Sequence, residues 1–429
     1  MEPKAYRSLN DLISSLLLCQ GLSDLKSVLS LRLSDSLGIA SERQNMEVEL
    51  VDGSLLNLFL KVRKEGSEAE KYDEVYGLFS RERKMYEEIL PQLNAFQEEN
   101  DQNQQMDFQI GKMFPKYYGS GLVNNDLYLV FEDILINSGA FVTKKQEFHD
   151  RDKILLSLRQ LGAFHGVSLC FERKTGQDVL SSFPILEEPV FHPERRETVR
   201  SLIEGNFKKN LKILDAVRKE FLKNNEIVRK NIESVCSSED IQHLLLCGDN
   251  LMERIYELPL TAEDCSLIAH GDFHMWNIAF QGSPSLTKAV FFDLQSCRHC
   301  SGVTDIVQYL YQVTTCQERA RHLTEYLGAY CESLSSSCRS LGLTESLRAS
   351  SPDWVSSEYR RLSLLGLMYG IGFNINRFVE DQARFAEVSE AIAAEDSEKI
   401  VEIIGSSGSK MWWIVQIMSD TITDTSQYV

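Results

Sequence analysis

The segment Leu267–Asp293, LIAHGDFHMWNIAFQGSPSLTKAVFFD, constrains this chain more than any other stretch. Its apolar runs at Leu267–Ala269, Ile278–Phe280 and Ala289–Asp293 read as short strands. A tight loop between the first two holds Asp272 and Asn277 at one rim. A turn at Gly282–Ser285 then leads into the strand that ends in Asp293. A carboxylate closing an apolar strand is costly to bury unpaired, so a metal ion is a natural partner. Asp272 and Asp293 can also be read as turn-formers at strand ends. The ordered strand–turn–strand interval between Asn277 and Asp293 favours chemistry.

A second pattern lies far upstream. MEVEL and LLNLFLKV flank Asp52–Gly53, the signature of a β-hairpin. In the second strand Leu56, Leu58, Leu60 and Val62 share one face, and Phe59 and Lys61 the other. Lys61 can therefore point into a cleft beneath the sheet. A helix is expected from about Glu70 to Leu90, stopped by Pro91, with Val75, Phe79, Tyr86 and Ile89 on one stripe. Glu82 sits inside that stripe, where a carboxylate is destabilising unless a cation meets it. Lys61 is the nearest candidate; the bland alternative is a surface glutamate beside Arg81 and Arg83.

Phosphoryl transfer from ATP needs such parts: a cation on the phosphates, oxygen ligands for Mg²⁺, and a carboxylate that orients a hydroxyl and takes its proton. In that reading Asp272 is the base, and Asn277 and Asp293 hold the metal. Glu82 keeps Lys61 on the α- and β-phosphates. The phosphate-covering loop is thin, since Gly38–Asn45 (GIASERQN) has one glycine. Ser41 is either a phosphate donor there or an ordinary turn residue.

The order of elements gives the architecture. Apolar spacing over 8–32 predicts a helical cap, taken as residues 1–30. A β-rich lobe follows over 31–135, with a mobile polar loop expected at Asn94–Asp107 and a strand at Asp126–Asp133. Residues 136–429 read as a mainly helical lobe, charged and helical over 195–255 and helical from 320 to the end. The boundary should fall near 133–141. The expected class is α+β, a two-lobed protein-kinase-like fold.

Composition narrows the partners. Lys and Arg number 45 against 63 Asp and Glu, a net charge of −18, which argues against nucleic acid. The apolar stretch Leu362–Phe373 falls short of the roughly 20 residues a bilayer requires, so no membrane span is expected. The N-terminus lacks the basic region and cleavage site of a signal peptide. Ten scattered cysteines, with one unpartnered CxxC at Cys297–Cys300, read as reduced thiols. Together these point to the cytosol.

Lys61, Glu82 in FSRERKMYEEILP, LVFEDI, LGAFHGVSL, HGDFHMWN, and FFDLQ followed by Asp305 resemble the ecdysteroid-kinase-like family. That family, also called choline-kinase-like, belongs to the aminoglycoside phosphotransferase and choline kinase superfamily. The resemblance spans residues 30–330 in order. It implies ATP and Mg²⁺ as cofactors, adenine held by backbone groups of Glu132–Ile134, and Asp305 as a structural brace of the loop. It also implies Asp272 as base, Asn277 and Asp293 as metal ligands and Lys61 on phosphate. His274, Trp276 and Leu294 depart from the family pattern, and they bear on substrate detail more than on the charged groups.

Two rivals remain open at this point. HGDFH superficially resembles a His/Asp metal motif, so a hydrolase could be built on His270, Asp272, His274 and Asp293. The chain could also be a catalytically silent kinase-shaped binding protein. The protein-kinase HRD, DFG and APE signatures are absent, which favours a small-molecule hydroxyl as acceptor. Sterol of the ecdysteroid type and choline-like alcohol both remain candidates. Trp354, Tyr359, Met368, Tyr369, Phe373, Trp412 and Trp413 could wall either pocket, with core packing the commoner duty. His165 reads as a hydrogen-bonded core residue, and His270 as an organiser of the loop.

Overall fold

The computed structural model describes residues 3–33, 41–101, 106–191, 253–376 and 397–404, with short interruptions at 145–146, 259, 263, 283–284 and 345–346 and isolated positions within 209–213 and 387–396. The expectations for 195–252 and 405–429, including Trp412 and Trp413, lie outside the described residues.

A short strand β1 (Ala5–Tyr6) precedes helix α1 (Leu9–Cys19), which Ser8 caps by accepting from the Asp11 N–H at 3.2 Å. The helix expected over 8–32 ends early. Leu25–Leu33 is instead a strand, β2, because Leu29-Ser30-Leu31-Arg32-Leu33 alternates with a period of two. β3 (Glu42–Leu50) and β4 (Leu55–Arg63) form the hairpin around Asp52–Gly53, and β5 (Tyr117–Val123) and β6 (Asp126–Glu132) form another. The six strands make one sheet in the order β1-β5-β6-β4-β3-β2, antiparallel except where β1 meets β5. On one face Leu12, Ile13 and Leu17 of α1 bury Met46, Val48, Leu58, Leu60 and Val62. The opposite face of β4, carrying Phe59 and Lys61, is left to the cleft.

The helix expected over 70–90 is broken. α2 (Glu68–Tyr76) ends at Gly77 with φ 64, and α3 (Leu78–Lys84) starts beyond it. A π-helical turn covers Met85–Ile89, and α4 (Leu90–Asn100) continues. The break leaves Val75 exposed and off the buried stripe of Phe79, Glu82, Tyr86 and Ile89. Pro91 does not stop the chain. It falls in the first turn of α4, where a missing N–H is tolerated. The mobile loop expected from Asn94 is corrected likewise, since 94–100 is helix. Buried Gln97 donates to the Phe108 carbonyl at 2.9 Å and accepts from the Ile110 N–H at 2.7 Å, which fastens the polar run to the short helix α5 (Ile110–Met113). Residues 102–105 lie outside the described part.

The chain crosses to the second lobe through α6 (Ile134–Asn137) and β7 (Phe141–Val142). α7 (Arg151–Thr175) and the short α8 (Val179–Ser182) follow. Next come the strands β8 (Ser266–Ala269), β9 (Ile278–Gln281), β10 (Lys288–Phe291) and β11 (Arg298–Ser301). They form two small sheets, β10-β9-β7 and β11-β8. The helices α9 (Val303–Val313), α10 (Cys316–Ser340), α11 (Pro352–Arg361), α12 (Ser363–Asn376) and α13 (Ser397–Ile404) complete the lobe. This is the expected two-lobed, kinase-like α+β fold. Among the described helices α7 alone is long and apolar enough to cross a membrane, yet its apolar stretch is buried within this lobe.

α7 and α10 lie close enough that the glycines of LGAFHG are needed. A Cβ on Gly162 would stand 2.5 Å from the Tyr330 carbonyl oxygen, a backbone atom that cannot swing aside. Gly328, in the middle of α10, meets nothing within 4 Å. Alanine substitution should therefore act with opposite sign at the two positions. Gly328→Ala should raise the thermal midpoint through helix propensity, by up to about 1 kcal/mol. Gly162→Ala should lower it, by about 1–3 kcal/mol. Equal effects in calorimetry would contradict this packing.

Candidate active site

Lys61 stands where three elements meet. Its strand gives it to the cleft face, and its ammonium donates to both Glu82 carboxylate oxygens, at 2.8 and 2.7 Å. It also donates to Asp293 Oδ1 at 2.8 Å. All three side chains are nearly enclosed, with 6%, 2% and 5% of their surface exposed. The misplaced glutamate of the helical stripe thus has its cation, and removing either partner from such a buried pair costs about 3–5 kcal/mol. Burial pushes the Glu82 carboxyl up, against the pull of Lys61. Burial acts upward on Asp293 too, but Lys61 and Arg43 outweigh it and hold that carboxyl below its ordinary range. Arg81 does not accompany Glu82 as a surface neighbour. Its Nη1 donates to the carbonyls of Ile185, Glu187 (3.0 Å) and Cys297 (2.9 Å), so α3 of the small lobe is tied to the large lobe.

Arg43 is the cation that sequence reasoning missed. The hairpin folds symmetrically about Asp52, which sets Arg43 opposite Lys61 and Asn45 opposite Phe59. Arg43 Nη2 reaches Asp293 Oδ2 at 3.1 Å, so each oxygen of that carboxylate carries a different cation. Asp293 itself has φ 68 and ψ 61, a left-handed conformation that a non-glycine residue adopts at a cost of about 1–3 kcal/mol.

The loop His270–Asn277 is held from below. Asp305, wholly buried in the first turn of α9, accepts from the His270 N–H at 2.7 Å and the Gly271 N–H at 2.9 Å. His165 of α7 meets its Oδ2 at 3.3 Å and bonds Tyr330 at 2.9 Å, the core role expected of it. Gly271 turns at φ 79, and a Cβ there would lie 1.9 Å from the Ser296 carbonyl oxygen. His270 is buried as the neutral ring: desolvation lowers its pKa, Nδ1 accepts from the Asp272 N–H and Nε2 donates to the Phe292 carbonyl at 3.1 Å.

Asp272 keeps about a quarter of its side chain exposed at the rim. Gln308, one helical turn after Asp305, donates to its Oδ1 at 3.0 Å. His274 Nε2 stands 3.5 Å from Oδ2, and the His274 Nδ1 accepts from the Trp276 N–H at 3.2 Å. Burial alone would raise the Asp272 pKa; His274, then His270 and Gln308, hold it well below the usual carboxylate range instead. Asn277 donates from Nδ2 to the Asp272 carbonyl at 3.0 Å and to Oδ2 at 3.4 Å. Gln308 had no role in the sequence reading. The turn-to-turn spacing from Asp305 along one helix face was the signal available for it.

A cavity of about 420 Å³ is lined by Arg43, Lys61, Glu82, Asp293, the connector Glu132–Leu135 and the apolar Phe59, Phe131 and Trp276; Asp272 and Asn277 do not line it. Asn45 donates to Asp133 Oδ2 at 2.8 Å, and Asp133 caps α6 through the Leu135 and Ile136 N–H groups. Glu132 and Ile134 are therefore set on the cavity wall. Ser41 is buried at the start of β3, two residues before Arg43; residues 34–40 of its loop lie outside the described part. Tyr359 and Met368 are core residues, whereas Trp354 and Tyr369 are only partly buried.

Hard oxygen donors suit magnesium, and the chain offers the Asp293 carboxylate and the Asn277 amide oxygen. The β9–β10 register brings their backbones close, because the Phe292 N–H, one residue before Asp293, donates to the Asn277 carbonyl at 3.1 Å. The residues present therefore fit Mg²⁺. The histidine-based alternative fares poorly. Both ring nitrogens of His270 are spent on backbone groups, and among the described residues no three His, Cys, Asp or Glu side chains form a cage.

The profile of the ecdysteroid kinase-like family matches residues 43–343, most of the chain. No curated protein matches the sequence. Solved structures give distant likenesses. The choline kinase of Cryptosporidium parvum Iowa II is 14% identical, with 87% of this chain and 90% of that one covered and a TM-score of 0.39. The microcompartment-associated aminopropanol kinase is 13% identical, with 90% and 95% covered and a TM-score of 0.43. The ethanolamine kinase of Plasmodium vivax is 10% identical, with 81% and 82% covered and a TM-score of 0.31. Likeness at that level carries no argument; the family match does.

Asp305 gives the site a pH signature. Burial would raise its pKa, but hydrogen bonding and charge from His165, with His270 and the Gly271 N–H, lower it overall. A depressed folded pKa contributes stability above the unfolded value near 4, and that stability is lost as pH falls through the folded value. Asp305→Asn should thus be less stable than wild type by about 2–4 kcal/mol at pH 7. The gap should narrow below about pH 4. Urea unfolding at several pH values tests this, and a gap independent of pH would contradict it.

Proposed function

The chain belongs to the ecdysteroid kinase-like family, and we propose on that footing that it transfers the γ-phosphoryl group of ATP to a hydroxyl of a small molecule. The observation that carries this is the convergence of Lys61, Glu82 and Asp293 within hydrogen-bond distance beside the Asp272 loop. Residues 31–135 would supply the phosphate cations and the adenine wall. Residues 136–429 would supply the base, the metal ligands and the acceptor pocket.

Lys61, immobilised by Glu82, is placed to hold the α- and β-phosphates, with the Glu132–Ile134 backbone against the adenine. Ser41 would add a donor near the phosphates. Asp293 and the Oδ1 of Asn277 would hold magnesium, which when bound neutralises charge on the phosphoryl oxygens. Asp272 is ionised at neutral pH and fixed by Gln308 and His274. It would orient the acceptor hydroxyl at the rim and receive its proton as the oxygen attacks the γ-phosphorus and the bond from that phosphorus to the departing ADP oxygen breaks.

Labelled ATP offered with sterol and amino-alcohol acceptors would identify the substrate. Turnover should require magnesium, and Asp272→Ala and Asp293→Ala should each reduce it by about 10³-fold or more while the protein remains folded. Wild-type-like turnover in either variant would refute the assignment. ATP binding without transfer to any acceptor would support the catalytically silent alternative.

A further inference from the structure

The proposed reaction leaves one group in the cleft without a part. Arg43 lies beside Lys61 on the cleft face of the small-lobe sheet, and both reach the same carboxylate. The two cations are held very differently. Lys61 is nearly enclosed and keeps Glu82 whatever happens at Asp293. Arg43 has a quarter of its side chain exposed, and Asp293 is its single ion-pair partner among the described residues. Its Nε is buried without a hydrogen-bond partner, an uncompensated donor on a charged group that lines the cavity.

We propose that Arg43 is a second phosphate-binding cation, one that exchanges Asp293 for phosphoryl oxygens when a divalent metal takes that carboxylate. This rests on the ATP and metal reading above. Both Asp293 oxygens carry a cation, so a metal ion there competes with the more exposed Arg43, and a guanidinium left on the same carboxylate would be repelled by it. The guanidinium fork suits phosphate oxygens, and its Nε–H and Nη–H groups would gain two acceptors together. Lys61 stays anchored by Glu82 through such a change, whereas Arg43 has no second carboxylate among the described residues to hold it back. Arg43 therefore acts in two directions: it opposes metal binding to the bare carboxylate, and it favours binding of metal with a phosphate chain.

Calorimetric titration of the full chain separates these effects without turnover. The probes are Mn²⁺ alone, magnesium with a non-hydrolysable ATP analogue, and adenosine, each on wild type, Arg43→Met and Arg43→Lys. Arg43→Met should weaken the analogue by about 10–100-fold, the loss expected for charge-assisted bonds. It should also leave adenosine within about twofold and tighten Mn²⁺, because Asp293 is freed. Arg43→Lys, which keeps the charge and loses the fork, should fall between the two and controls for misfolding. Unchanged analogue affinity in Arg43→Met, with wild type binding well, would overturn this inference alone. No analogue binding by wild type would overturn the nucleotide reading as well.

Discussion

A single buried ammonium organises the cleft. Lys61 links a strand of the small lobe, the helix beneath it and the end of the Leu267–Asp293 segment, through Glu82 and Asp293. Three such groups could not stay enclosed and charged apart from one another, because each would bear an uncompensated desolvation cost of several kcal/mol. Their mutual presence fixes the distance between lobes. Arg81, the next residue along the helix, adds bonds to large-lobe carbonyls, so the position of Glu82 is set from two sides.

The second constraint is Asp305. One carboxylate at the start of α9 satisfies two backbone N–H groups of a turn that only glycine can make at Gly271. The same helix, one turn later, presents Gln308 to Asp272. Brace and aim thus come from one rigid element. This explains how Asp272 can be held firmly while remaining partly open to the rim, as its proposed role as base requires. The His274 ring contributes to the same end by facing the carboxylate.

Much of this was legible in the residues. Strand alternation placed Lys61 on the cleft face, and Glu82 drew notice because a carboxylate on an apolar stripe needs a cation. What escaped detection was register and interruption. Arg43 looked like part of a loop, because its role depends on the hairpin's symmetry about Asp52 and on a partner 250 residues away. The break at Gly77 follows from a glycine that can take φ 64, and β2 from the period-two run Leu29–Leu33, local signals that the helical spacing around them masks. Gln97 shows the converse: polar composition suggested a loop, but its bonds made it part of a folded helix end.

The central claim is that this cleft binds a nucleoside triphosphate with its metal on Asp293 and Asn277. A crystal structure with magnesium and a non-hydrolysable ATP analogue addresses it most directly. The account predicts metal about 2.1 Å from an Asp293 carboxylate oxygen and the Asn277 amide oxygen. It also predicts phosphates on Lys61 and adenine against Glu132–Ile134. Metal coordinated instead by the rings of His270 or His274, or a nucleotide bound elsewhere, would contradict it.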